Sequence, residues 1–376
     1  MAGSRLIQPP NRCRRIRDLR NGKSNDSIEA VAGVHSAREA QYDNFLRHGR
    51  RRHDSWQGGG VIIFGLGGSD LLFGNEGYDI IYGNSGNDTI YGDSDTPSGG
   101  GTPDPLDGGD SIGGGEGDDV IQVWNGFNRV DGNAGNDSIL GGTERDVING
   151  GAGADTIRAG AGNDVIYVAD NDVIDGGAGR DFIRFYGYGI SPEVFGVRLD
   201  LNVVTAQLAR NAGTLTVSGV EDIFGSLIGD WFAGTSGPNY IDGFSGRDVI
   251  FGRGGNDWLR GGYGNDLLTG GAGRDTFAFY DTLNVNYNVD TVADFNSADD
   301  TLWLDDLYFG FLPKGTLAAE AFVTGRAALE ADDRIIYDQT RGLLFFDSDG
   351  NGGAGKILFA SLGAGTVVVL EDFLVG

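Results

Sequence analysis

After residue 57 the chain contains no histidine, no cysteine and no methionine. The residues of these types all lie in the first segment: Met1, Cys13, His35, His48 and His53. Their absence excludes Ser-His-Asp triads, cysteine nucleophiles, His-ligated zinc and an HExxH protease helix from residues 58–376. A single cysteine also excludes a disulfide framework. Chemistry in the main body must therefore use oxygen atoms from carboxylates, amides, hydroxyls and backbone carbonyls.

The chain is equally short of long apolar runs and of positive charge. No apolar run approaches the ~18 residues of a membrane span, and no apolar signal segment follows the first methionine. The formal net charge is -26, and residues 58–376 hold 16 Lys and Arg against 48 Asp and Glu. This excess of negative charge argues against nucleic acid and anionic membranes as partners. Small cations are the expected counterpart.

Residues 1–57 have the opposite charge balance. They hold 12 Lys and Arg against 6 Asp and Glu, concentrated in NRCRRIRDLR (11–20) and RHGRRRH (47–53). Basic clusters can serve in targeting or in nucleic-acid binding. However, the segment lacks the apolar stretch of a secretory or twin-arginine signal, and no aromatic residues are interleaved with its basic ones. We therefore predict that residues 1–57 form a basic, disordered leader.

Glycine is abundant, at 68 residues, and it recurs in a fixed pattern. The stretch GNEGYDIIYGNSGNDTIY (74–91) is one nine-residue phrase written twice, with Asp at its sixth place and an apolar residue two places later. The period continues along the chain, although Asn128 and Asn239 replace the aspartate in two copies. The sixth-place aspartates are Asp70, Asp79, Asp88, Asp110, Asp119, Asp137, Asp146, Asp155, Asp164, Asp172, Asp181, Asp230, Asp248, Asp257, Asp266 and Asp275.

A nine-residue period fits neither an amphipathic helix nor an array of hairpins. The Gly- and Asn-rich half of each copy accepts positive φ and can turn sharply. The other half, x-D-x-U-x with U apolar, places one apolar side chain on one face of a short strand. Two copies, or 18 residues, then make one coil of a parallel solenoid whose thin core depends on neighbouring coils. The pattern predicts an all-β fold, a parallel β-roll.

Aspartates that are 18 residues apart stack on the same side of such a roll. Stacked carboxylates repel each other, and a thin core offers little to oppose this. A cation between adjacent turns, bound by one Asp from each turn and by glycine-rich turn carbonyls, would supply the oxygen shell that Ca²⁺ prefers. Mg²⁺ fits less well because it demands strict octahedral geometry. We therefore predict multiple Ca²⁺ sites at the sixteen aspartates; the alternative is that they only cap turns.

The most regular copies, GGYGNDLLT (261–269) and GGAGRDTFA (270–278), resemble the GGxGxDxUx nonapeptide of RTX (repeats-in-toxin) proteins, with haemolysin-type repeats. The resemblance implies a calcium-binding parallel β-roll and export by type I secretion machinery from a Gram-negative bacterium. Matching copies run from about Gly65 to Arg184 and from Gly225 to Phe279. We therefore expect two repeat blocks, at 58–184 and 225–279.

The remaining segments lack the repeat. Residues 185–224 alternate like strands and are expected to form a bulged, metal-poor part of the roll. Residues 280–376 resemble the strand-rich cap of serralysin-like proteins. Their ending, LEDFLVG, resembles an uncleaved type I secretion signal, and it also suits an ordinary final strand. The stretch DSDGNG (347–352) suits a polar hairpin turn, with an additional calcium site as the alternative.

These features predict a secreted calcium-binding protein that folds on binding Ca²⁺ outside the cell and is not an enzyme. No HExxH helix, lipase GxSxG with a His, or segment long enough for an epimerase module is present. The alternative is a surface or biofilm-matrix adhesin, or a polysaccharide-binding module, with the loop at 92–104 and the bulge at 185–224 as contact regions. A third hypothesis is a carboxylate-based enzyme that acts on polysaccharide.

Overall fold

The computed structural model describes residues 43–46, 61–74, 78–92, 109–169, 171–185, 196–205, 207–208, 213–284, 287–310, 312–353 and 355–376. These residues form short strands and two 3-10 turns (Ala319–Ala321 and Leu370–Asp372), with no α-helix among them. Consistent with this, the described ranges hold no helix with the length and apolar character to cross a membrane.

The strands are, in chain order, β1 Asp43–Leu46, β2 Val61–Gly67, β3 Leu71–Phe73, β4 Ile80–Ser85, β5 Thr89–Tyr91, β6 Ser111–Glu116, β7 Val120–Gln122, β8 Arg129–Ala134, β9 Ser138–Leu140, β10 Val147–Asn149, β11 Thr156–Ala161, β12 Val165–Tyr167, β13 Val173–Ala178, β14 Phe182–Arg184, β15 Arg198–Asp200, β16 Gln207–Leu208, β17 Thr214–Ser218, β18 Asp222–Phe224, β19 Trp231–Ala233, β20 Tyr240–Asp242, β21 Val249–Gly254, β22 Trp258–Arg260, β23 Leu267–Ala272, β24 Thr276–Phe279, β25 Asp290–Val292, β26 Thr301–Leu304, β27 Gly315–Thr316, β28 Phe322–Thr324, β29 Ile335–Asp338, β30 Leu343–Phe346, β31 Ile357–Ser361 and β32 Phe373–Val375.

Parallel pairing between successive coils confirms the predicted all-β roll. Most pairs join residues 18 positions apart, as in Ile121 with Ile139 and Ile250 with Leu268. One 15-stranded sheet, β1-β2-β4-β6-β8-β10-β12-β14-β18-β20-β22-β24-β26-β32-β27, runs through both repeat blocks into the cap. The opposite side is divided into an 8-stranded sheet ending at β16 and a 9-stranded sheet beginning at β15. The division falls in the non-repeat segment.

The core is a column of single apolar side chains, because each nonapeptide turns one inward. The apolar residues two places after the sixth position are all buried: Leu72, Ile81, Ile90, Val130, Ile139, Ile148, Ile157, Ile166, Ile250, Leu259 and Leu268. In the cap the core widens into an aromatic cluster, where the Phe309 ring lies edge-on against Phe346 and Phe359, at 5.3 and 5.0 Å between centroids. The roll is therefore thin and its C-terminal end is thicker.

The ends of the described chain both join the long sheet. Strand β32 pairs with β26 and β27, and it buries Phe373 and Val375 of the LEDFLVG segment. Strand β1, inside the segment expected to be a disordered leader, pairs in parallel with β2. The rest of residues 1–57 lies outside the described residues, as do 93–104 of the predicted contact loop and 186–195, 206 and 209–212 of the bulge.

Candidate metal sites in the turns

The sixth-place residues are buried at the start of the strands and form three columns along the roll. The first column contains Asp70, Asp88, Asp119, Asp137, Asp155 and Asp172. The second contains Asp79, Asp110, Asn128, Asp146, Asp164 and Asp181 and, after a coil in which Glu221 Oε2 accepts the N–H of Asp181, Asn239, Asp257 and Asp275. The third contains Asp230, Asp248 and Asp266. The structure thus brings all sixteen predicted aspartates into vertical registers.

In most residues of these columns, one side-chain oxygen accepts a backbone N–H of the preceding coil and so holds that coil in place. Asp155 Oδ1 accepts the backbone N–H of Asp137 at 2.8 Å, and Asp164 Oδ1 accepts that of Asp146 at 2.7 Å. The same bond joins Asp248 to Asp266 in the third column, at 2.8 Å. Since an acceptor with a negative charge strengthens such a bond, the columns hold the coil spacing as well as carrying charge.

The second oxygen has no such role in most turns. Oδ2 is buried and accepts no hydrogen bond in Asp88, Asp119, Asp137, Asp155, Asp164, Asp181, Asp248, Asp257, Asp266 and Asp275. A buried carboxylate oxygen without a donor costs free energy because it has lost its water. So many of these oxygens in one register require an explanation.

In nine of these ten turns the residue five positions earlier is a glycine, which makes room for this oxygen; before Asp164 it is Ala159. A Cβ added to Gly132 would clash with Asp137 Oδ2 and with the carbonyl oxygen of Gly150, one coil further on. Gly243 stands in the same relation to Asp248 and Gly261. At Gly132 and Gly243, a carboxylate oxygen and a carbonyl oxygen of the next coil therefore face one small space that a Cβ would fill.

Burial raises the pKa of these carboxyl groups, and neighbouring aspartates add to the effect. Burial, with the charges of Asp155 and Asp119 as further causes, raises the pKa of Asp137 to about 7. The pKa of Asp181 rises to about 7 and that of Asp248 to about 9, again mainly through burial. Backbone hydrogen bonds from the preceding coil act in the opposite direction. Without a cation, the columns therefore oppose their own ionisation.

The donor set fits Ca²⁺. Within the described ranges no group of three or more His, Cys, Asp or Glu side chains lies together, so a metal would have to use one or two carboxylates with backbone carbonyls. Uncoordinated carboxylate oxygens beside glycine carbonyls provide such a set, and all of its members are the hard oxygen ligands that Ca²⁺ takes. The ligand roles of the individual aspartates stay predictions.

The structure extends two columns with residues that the nine-residue period missed. Asp290 Oδ1 accepts the N–H of Asp266 at 3.1 Å, and Asp300 Oδ1 accepts that of Asp275 at 3.0 Å. Burial raises the pKa of Asp290 well above the usual range of an aspartate. These residues lie 24 and 25 positions after their partners, so a count in nines cannot find them.

The DSDGNG segment follows β30 as a turn towards β31. Burial raises the pKa of Asp347, and the neighbouring Asp349 carboxylate raises it further. The backbone N–H of Asp349 lies 3.4 Å from Asp347 Oδ1. A turn is therefore present, and a calcium site there stays an untested alternative.

Comparison with known protein families agrees with this geometry. The family described as RTX calcium-binding nonapeptide repeat (4 copies) matches residues 64–96, 106–139, 131–166, 169–185, 224–259 and 251–279. A solution structure of the AlgE6R3 subunit from the Azotobacter vinelandii mannuronan C5-epimerase is similar at 23% identity, covering 40% of this chain and 80% of that chain, with a TM-score of 0.28. A search of curated proteins gives no match. The matched segments are RTX calcium-binding nonapeptide repeats, and the protein is a calcium-binding β-roll.

Proposed function

We propose that this protein is exported unfolded by type I secretion machinery of a Gram-negative bacterium and folds outside the cell by binding several Ca²⁺ ions. The observation that carries the proposal is the register of buried Oδ2 atoms without hydrogen-bond donors, several of which lie beside a glycine carbonyl of the next coil. A bound Ca²⁺ would neutralise the carboxylates and accept lone pairs from both kinds of oxygen.

Low calcium disfavours the folded state for two reasons. The columns bury carboxylates whose raised pKa values reflect the cost of their charge, and each coil contributes few apolar side chains to the core. Extracellular modules typically bind Ca²⁺ with dissociation constants of ~10⁻⁴–10⁻³ M. Ions that bind only the folded chain stabilise it by mass action, so folding is expected where calcium reaches millimolar levels.

The C-terminal segment supports export before folding. Phe373 and Val375 are buried, and β32 is paired on both edges. Machinery that reads LEDFLVG would therefore need the chain unfolded. An excess of negative charge favours that state in calcium-poor cytosol by self-repulsion. We further propose that the roll has no catalytic activity of its own.

A contact role on a cell surface or in a matrix is the second candidate. Phe73 and Tyr91 stack with centroids 5.1 Å apart and planes at 9°, and Phe73 is 44% exposed. Phe64 and Tyr82 stack in the same way on the long sheet, at 5.3 Å and 16°. Flat, exposed aromatic faces suit contact with sugar rings or with another protein. Loss of polysaccharide retention in a Phe73→Ala variant with normal calcium binding would support this role; unchanged retention would count against it.

The folding proposal is tested by circular dichroism of the full chain during a Ca²⁺ titration, with Mg²⁺ as the control. A cooperative gain of β structure at sub-millimolar to millimolar Ca²⁺, and not with Mg²⁺, is the expected result. A chain that is already folded in chelator and does not respond to Ca²⁺ would contradict metal-coupled folding.

A further inference from the structure

The turns before the sixth-place residues are of two kinds. They differ in the backbone conformation of the residue four positions before the sixth-place residue. They also differ in whether a backbone N–H of the turn donates a hydrogen bond to the sixth-place side chain. We call a turn open when the residue four positions earlier has positive φ and the carboxylate Oδ2 accepts no hydrogen bond. We call it closed when a backbone N–H of the same turn donates to the side-chain oxygen.

Open turns have one consistent geometry. Gly160, four residues before Asp164, has φ of 112°, and Gly177, before Asp181, has φ of 102°. Both aspartates are fully buried and their Oδ2 atoms have no hydrogen-bond donor. Turns with both features end at Asp88, Asp119, Asp137, Asp155, Asp164, Asp181, Asp248, Asp257, Asp266 and Asp275.

Glycine content alone does not produce the open turn. Asn133, Phe244 and Arg253 occupy the same position with φ of 72°, 68° and 79°. Positive φ is unfavourable for phenylalanine and arginine, and such conformations often occur at functional sites. Gly142, in contrast, stands at this position before Asp146 and is not among the glycines with positive φ. The turn type is therefore a property of the fold and not simply of residue identity.

Closed turns satisfy their own carboxylates. Gly142 donates its N–H to Asp146 Oδ2 at 2.9 Å, and Ser226 donates to Asp230 Oδ2 at 2.8 Å. Ala169 donates to Asp172 Oδ2 at 2.8 Å, from three residues earlier. The amide oxygen of Asn239 accepts the N–H of Thr235 at 2.7 Å. A backbone donor already occupies the oxygen that would otherwise face a cation.

The Asn128 side chain shows how an amide can bind the oxygens of two adjacent turns. Its amide nitrogen donates to the carbonyl oxygens of Asn125 and Gly126, each at 3.1 Å, and to Asp146 Oδ1 at 2.9 Å. Two turn carbonyls and the carboxylate of the next coil are the kinds of oxygen that a Ca²⁺ between coils would use. The amide holds these oxygens together, so this pair of turns needs no ion.

We propose that only open turns bind Ca²⁺, and that a site forms only between two open turns adjacent in a column. This inference rests on the proposed calcium-coupled folding. The sites assigned in this way lie between Asp88 and Asp119, Asp119 and Asp137, Asp137 and Asp155, Asp164 and Asp181, Asp248 and Asp266, and Asp257 and Asp275. The closed turns at Asp146, Asp172, Asp230 and Asn239 are held by their own hydrogen bonds and bind no ion. They end or interrupt the series of Ca²⁺ sites in a column.

The second column offers a matched pair for the test. Asp146 and Asp164 are adjacent in it, both fully buried, and burial raises the pKa of each to about 6. They differ in turn type. We expect Asp164→Asn to lose one bound Ca²⁺ per chain and Asp146→Asn to lose none, measured by equilibrium dialysis with atomic emission at saturating Ca²⁺. Equal losses, no loss in either variant, or a loss confined to Asp146→Asn would overturn the assignment.

A second pair of variants keeps the test valid if Asp146→Asn fails to fold. Asn239→Asp adds a carboxylate to a closed turn and should gain no ion, whereas Asp257→Asn, in the next open turn, should lose one. An ion gained by Asn239→Asp would refute the turn rule. The unmodified chain separates the two claims: if it binds Ca²⁺ and folds but these variants disobey the rule, only the assignment fails. If it binds no Ca²⁺, both claims fail.

Discussion

Because the core is thin, the Ca²⁺ concentration needed for folding should depend on how well the core is packed. The Ile121→Ala variant tests this dependence. Ile121 is fully buried between Ile90 and Ile139 of the adjacent coils. Truncation of a buried isoleucine to alanine costs about 2–5 kcal/mol. Because folding is coupled to ion binding, this loss should appear as a higher Ca²⁺ midpoint and should be reversed by more Ca²⁺.

The size of the shift follows from linkage. If the six ions assigned above bind in one cooperative step, a loss of about 2–5 kcal/mol raises the midpoint about two- to four-fold, since each ion contributes RT ln of the concentration ratio. The assay is a Ca²⁺ titration followed by circular dichroism. Val120→Ala is the control, because Val120 lies in the same strand and is 46% exposed; its midpoint should barely move. Equal shifts in both variants, or no shift in Ile121→Ala, would refute the reasoning.

Three further results are expected. Gly132→Ala should raise the Ca²⁺ midpoint severalfold because the added Cβ would displace Asp137 Oδ2. Gly237→Ala is the control and should leave the midpoint unchanged, because the atom nearest to its Cβ would be Thr235 Oγ1 at 3.8 Å. Similar midpoints in the two variants would contradict the glycine argument. In calcium-free buffer, the folded fraction measured by circular dichroism should fall as pH rises from about 4 to 8, because the folded state, with pKa values of about 7 at Asp137 and Asp181, binds more protons there than the unfolded chain. A folded fraction that rises over this range would oppose this reasoning. Arg260→Gln should cost about 3–5 kcal/mol in chemical denaturation at saturating Ca²⁺, because Asp242 and Asp281 lose their partner, at 2.8 and 2.6 Å, inside the structure; a neutral effect would show that this ion pair is dispensable.

The repeat geometry was predictable from the sequence because it depends on residue type and spacing alone. A nine-residue period with one apolar side chain per copy has few solutions, and the pairing of Ile121 with Ile139 follows directly from it. The aspartate columns were predictable for the same reason. Their second function could not be predicted. The hydrogen bond that Oδ1 accepts from the backbone N–H of the preceding coil depends on side-chain orientation.

Turn type could be predicted only in part. Glu144 and Ile228 lie two residues before Asp146 and Asp230, at the fourth place of their nine-residue copies. Most other copies have glycine at this place. This departure marks two closed turns. Phe244 and Arg253, in contrast, have positive φ although the local propensity of these residue types does not indicate it. Asp290 and Asp300 were missed because the chain leaves the nine-residue period before it reaches them.

Bound cations would be located most directly by a crystal structure of the calcium-loaded protein with anomalous difference maps. The account predicts peaks in the open turns, within about 2.3–2.6 Å of carboxylate oxygens such as those of Asp164 and Asp181, and none at Asp146 or Asn239. An ordered roll without peaks in the turns, or with the carboxylates satisfied by protein donors alone, would contradict it.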